Sequence, residues 1–113
     1  MELSKETQQK VTQLQLFEQK LQSFLSQKQT FQSQLLELDN ALKELNNSNG
    51  GIYKIVGNIM IKSEKDSLKS SLDERKDVLS LRLTSVEKQE KATREQAKKI
   101  QAEVMAEIEK GEN

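Results

Sequence analysis

The feature that most narrows what this chain can fold into is an apolar residue that returns after three positions, then four, along most of two long segments. In the first the series runs Leu14, Phe17, Leu21, Phe24, then Lys28 as an interruption, then Phe31, Leu35, Leu38, Leu42 and Leu45. A helix whose apolar residues recur every 3.5 positions buries a narrow stripe against one partner helix and supercoils left-handedly. Ser4 can cap its start, and the polar, Gly-rich NNSNGG at 46–51 supplies residues that end helices. A helix over 4–46 is expected to be roughly 64 Å long, too long to fold on itself.

A second helix is expected over 64–110. Ser63 with Asp66 three residues later resembles a capping box, and no Pro or Gly interrupts the chain from there until Gly111. Its seam runs Leu68, Leu72, Leu79, Leu83 and Val86, weakens through Glu90, Thr93 and Ala97, and resumes at Ile100, Val104 and Ile108. If the two helices run antiparallel, Leu45 lies near Leu68 and both termini lie at the far end. Pairing is then expected to be firm near residues 35–79. It is expected to be loose where Phe17, Leu21 and Phe24 face the stretch EKQEKATREQAKK at 87–99, whose only apolar members are Ala92 and Ala97. Small and polar side chains fill the holes for large knobs poorly, so apolar surface should stay accessible toward the free end; ordinary seam packing of the same side chains is the equal alternative. Val11, Leu16, Leu25 and Leu36 lie off the main stripe and are candidates for external contact.

Between the helices stands GGIYKIVGNIMIK at 50–62, the one β-branched, apolar patch in the chain. With Gly57-Asn58 as a two-residue turn of the primed type, a strand at 52–56 pairs with one at 59–62. One face then shows Ile52, Lys54, Val56, Ile59 and Ile61, and the other shows Tyr53, Ile55, Met60 and Lys62. Both faces are mainly apolar. A lone two-stranded hairpin is marginal in water, and a half-exposed one would be polar on one side. The expectation is that hairpins from several chains join edge to edge into a shared β core through Ile52, Tyr53, Ile55, Val56, Ile59, Met60 and Ile61. The alternative is a hairpin that folds back on its own helices. The expected fold is therefore mainly α: one domain over 1–113, an antiparallel two-helix coiled coil with a single central β-hairpin.

Composition closes other routes. Eighteen Lys and Arg balance eighteen Asp and Glu, so no net field draws nucleic acid or an anionic membrane. The absence of Cys and His removes thiol and imidazole chemistry and the usual zinc ligand sets. The carboxylates stand among lysines in solvent-facing helical patterns, with no pocket-forming core, no phosphate loop and no calcium-loop spacing, so neither catalysis nor a cofactor is expected. No apolar run approaches the roughly 20 residues of a membrane span, and MELSKETQQK lacks the pattern of a secretory leader, which suggests a cytoplasmic protein.

The order of QKQTFQSQLLELDNALKEL in a Gln-rich helix, then YKIVGNIMIK, then LSLRLTSVEKQEK in a charged helix resembles an archaeal prefoldin β subunit over nearly the whole chain. YK before a short apolar run, a Gly turn and a second apolar strand ending in a basic residue is the most family-specific piece. The single hairpin points to the β class, since α-type subunits carry two; Ser4 stands where Pro would be expected. The resemblance implies a hexamer of two α and four β subunits in which hairpins form a β-barrel body from which six coiled coils hang. It implies capture of unfolded polypeptides at the coiled-coil ends and their delivery to a group II chaperonin without ATP. The matching distal positions here are Val11, Leu14, Leu16, Phe17 and Leu21 on the first helix, with Ile100, Val104, Met105 and Ile108 on the second. Lys98, Lys99, Glu103, Glu107 and Lys110 could serve chaperonin docking, although a solvated helix face explains them equally well. The competing class is a structural coiled-coil scaffold that merely dimerises, which accounts for the heptads but not for a hairpin apolar on both faces.

Overall fold

A computed structural model describes residues 3–112. The element order is α1 (Lys5–Asn47), β1 (Ile52–Val56), β2 (Ile59–Ser63) and α2 (Lys65–Glu112). The chain divides into two compact units, one built from the described residues up to Lys28 and from Thr84 onward, the other from Gln29–Leu83.

In the first unit α1 begins at a side-chain cap. Ser4 Oγ accepts the Thr7 backbone N–H at 3.1 Å and its hydroxyl donates to Thr7 Oγ1 at 2.9 Å. The cap satisfies one of the orphan amides of the first turn, and Thr7 itself is almost fully buried. The two helical segments run antiparallel here. Lys10 pairs with Glu103 at 3.4 Å, and Lys28, further along α1, pairs with the earlier Glu90 at 3.1 Å. The buried stripe of this unit is Thr7, Phe17, Val86, Thr93 and Val104, flanked by half-buried Leu14, Leu21, Phe24, Ala97, Ile100 and Ile108. The three-four spacing of the sequence is thus the spacing of burial.

The expected looseness opposite residues 87–99 takes a different form. Phe17 is only 9 % exposed and Val104 only 6 %. Phe17 lines a depression with Gln96, Lys99 and Ile100. The seam is closed at Phe17 and Val104, with the neighbouring stripe residues half-buried.

In the second unit the helices are again antiparallel, with Asp39 paired to Lys76 at 2.8 Å and Lys65 Nζ donating to the carbonyls of Asn46 and Ser48, each at 3.3 Å. The last turn of α1 contains no basic residue of its own, so Lys65 brings the positive charge that its carbonyl end favours. Leu45 is buried, with Phe31, Leu35, Leu38, Leu42, Leu68, Leu72 and Leu79 half-buried around the same stripe. One boundary differs from the expected capping box. Ser63 is the last residue of β2, and the carbonyl of Glu64 accepts the first bond of α2, from Leu68 N–H at 3.0 Å. Register in the hairpin claims Ser63 as the partner of Ile52 before the helix can use it.

Candidate functional site

The hairpin owes its geometry to Gly57. Strand pairing runs from Ile52↔Ser63 to Val56↔Ile59, which leaves Gly57-Asn58 as a two-residue turn. Gly57 has φ +62°, and no non-Gly residue in the described chain has positive φ. Positive φ at the first central position alone is the signature of a type II′ turn, whose twist matches that of the strands it joins.

That register puts Val56, Ile59, Lys54, Ile61 and Ile52 on one face, with Ile55, Met60, Tyr53 and Lys62 on the other. Tyr53, Ile55, Val56, Ile59, Met60 and Ile61 are all between 48 % and 70 % exposed, and Ile52 is half-buried. The hairpin is not folded back on its own helices. Monomeric proteins seldom leave so contiguous an apolar surface in water, and the two-stranded sheet has two open edges besides. Tyr53 turns its ring back toward Gly51, where an added Cβ would lie 3.3 Å from the phenolic oxygen.

The nine distal positions are placed unevenly. Leu16 and Met105 are exposed, at 54 % and 52 %. Val11, Leu14, Leu21, Ile100 and Ile108 are half-buried, while Phe17 and Val104 belong to the buried seam. Leu16 borders a shallow depression with Gln13, Phe17, Gln19, Lys20 and Ser23, so the exposed apolar side chain is set in polar surroundings. Of the off-stripe residues, Leu16, Leu25 and Leu36 are exposed and Val11 is half-buried.

Two features were not anticipated from the sequence as a pair. Lys28 and Glu90 each break an apolar stripe, and the structure brings them together as an ion pair with side chains only 23 % and 12 % exposed. Arg94 approaches the same Glu90 oxygen at 4.0 Å. Val78 and Leu81, the latter the most exposed leucine of the second unit, also lie outside the seam. Val78 lines an open groove of about 590 Å³ with Glu37, Leu38, Glu74, Arg75 and Arg82. Electrostatics are otherwise plain. The hydrogen bond to Asp39, with the attraction of its carboxylate, holds the Lys76 ammonium protonated above the ordinary lysine range. Among the described residues no helix is long and apolar enough to cross a membrane, and no group of acidic side chains is arranged to hold a metal ion.

The sequence profile of prefoldin subunits matches residues 8–111. Relatives named prefoldin subunit beta, from Saccharolobus islandicus and Sulfurisphaera tokodaii, are 45 % and 42 % identical over 53 residues. Those residues make up 47 % of this chain and 42 % of each relative, so the aligned stretch spans less than half of their length. The crystal structure of the prefoldin beta subunit from Thermococcus strain KS-1 superposes with a TM-score of 0.87 at 32 % identity, covering 93 % of this chain and 94 % of that one.

Proposed function

This chain belongs to the prefoldin subunit family, on the side of its beta class, and we propose that it is a non-catalytic subunit of an ATP-independent chaperone of the cytoplasm. Four copies join two α subunits through their hairpins, which close into a β-barrel. The observation that carries this reading is the hairpin with six large apolar side chains exposed on its two faces, a surface that a lone chain leaves in water. A simple dimerising scaffold uses the heptads and leaves that surface without purpose.

Unfolded polypeptides are captured at the coiled-coil ends and passed to a group II chaperonin. An unfolded chain offers scattered apolar segments, each of which gains only about 1.5–3 kcal/mol per fully buried side chain, so one contact is weak and reversible. Several subunits bind one client firmly together because later contacts form at high effective concentration. Leu16 and Met105 are the distal side chains already accessible, and Met105 adds a flexible, polarizable group that adapts to varied partners. Val11, Leu14, Leu21, Ile100 and Ile108 add half-buried apolar surface beside them. Phe17 and Val104 contribute to client binding only where the seam parts.

The experiment is suppression of aggregation of a chemically denatured client by the assembled complex without nucleotide, with and without Leu16→Ser and Met105→Ser. Protection that is strong for the parent and weaker for the variant, at equal complex size, supports the reading. Equal protection by both overturns the assignment of the tip.

A further inference from the structure

We propose that the Lys28–Glu90 pair is a pairing lock, which makes α1 choose α2 of its own chain rather than the like helix of another copy. From Leu14 to Leu45 every seam position of α1 is Leu or Phe except Lys28. On α2 Glu90, between Val86 and Thr93, is the charged position in a stretch of the seam that also holds the small Thr93 and Ala97. The two charged positions face each other: Lys28 Nζ lies 3.1 Å from Glu90 Oε1, with both side chains largely withdrawn from water. Arg94, one turn on, stands 4.0 Å from the same oxygen.

An all-apolar heptad seam discriminates poorly among partners, because Leu and Phe knobs fit the holes of many helices. A chain in an assembly of several copies meets other α1 and α2 helices at high local concentration. In a parallel, in-register α1–α1 pair, Lys28 would face Lys28 inside the seam. In the corresponding α2–α2 pair, Glu90 would face Glu90. Each leaves like charges close together with little water to screen them, whereas α1–α2 brings opposite charges into hydrogen-bond contact. A half-buried ion pair adds little net stability over apolar residues of similar size, and its best-attested use is to fix partner and register. The inference concerns which helices pair, and stands apart from the client-binding role.

The chain contains no Cys, so a single introduced one reports pairing cleanly. Leu21, one heptad from Lys28 on the half-buried stripe, is replaced by Cys in the full-length chain. A disulfide can then form only between chains, and it forms efficiently when two α1 helices pair in register. Under mild oxidation the Leu21→Cys chain is expected to give little linked dimer. Adding Lys28→Leu and Glu90→Leu should raise that yield at least several-fold, with a melting midpoint equal to or above that of the parent. The swap Lys28→Glu with Glu90→Lys retains opposite charges and should return the yield to the parent level. Linked dimer that stays at background in the leucine background, or that rises equally in the swapped one, overturns the lock.

Discussion

Replacing Ile59 and Ile61 together with Asp should abolish assembly while leaving the helices of the free chain intact. Ile59 is 64 % exposed and Ile61 48 %. With about 1.5–3 kcal/mol for complete burial of such a side chain, each has about 1–2 kcal/mol still to gain when another hairpin covers it. The carboxylates forfeit that gain, and a charge carried into the same apolar interface costs several kcal/mol unless it is paired. The sum is about 6 kcal/mol or more per chain, and since about 1.4 kcal/mol is tenfold in an equilibrium constant, assembly weakens by about 10⁴ or more. Within the chain the loss is smaller, because the pairs Val56↔Ile59 and Lys54↔Ile61 contribute only about 0.2–1 kcal/mol each. Light scattering behind size-exclusion chromatography of the variant, expressed with the α partner proposed above, should show no complex at micromolar concentration, and far-UV circular dichroism should keep the parent's helical signal. A complex of parent mass from the double variant would refute the argument that hairpin burial drives assembly.

Other outcomes are as specific. Phe17→Ala with Val104→Ala should lower the melting midpoint and cost at least about 3–5 kcal/mol in a denaturant titration, since both side chains are buried in the seam, whereas Leu16→Ser with Met105→Ser, at half-exposed positions, should cost clearly less. Equal midpoints for the two pairs would contradict their different burial. Gly57→Ala should destabilise the hairpin by about 1–2 kcal/mol from its backbone alone, since an added Cβ meets nothing within 4 Å while φ stays at +62°. Gly50→Ala, equally open and without positive φ, should be silent in the same assembly titration. Ser4→Ala should cost about 1 kcal/mol of local stability, read as faster amide exchange at Thr7, whose N–H loses its acceptor.

Periodicity made most of the fold legible. The three-four rhythm from Leu14 to Leu45 and from Leu68 to Ile108 is the observed burial stripe, because side-chain direction on a helix is fixed by spacing alone. The hairpin register was readable for a similar reason: two turn residues and a period of two leave one pairing that keeps Val56 opposite Ile59. What the sequence left hidden involves two helices at once. Lys28 and Glu90 each read as a local flaw in its own stripe, and their complementarity exists only once the helices are aligned. Side-chain type leaves Phe17 open between seam and surface, because residues 87–99 offer only Ala92 and Ala97 as apolar partners. Ser63 looked like a cap because local sequence cannot show that a strand already holds it.

The central claim is that the exposed hairpin is an assembly surface, and native mass spectrometry of the complex recovered from its own host through a tagged copy of this chain tests it most directly. The account predicts a species with four copies of this chain and two of a larger, likewise helical partner. A monomer or a plain dimer would contradict it.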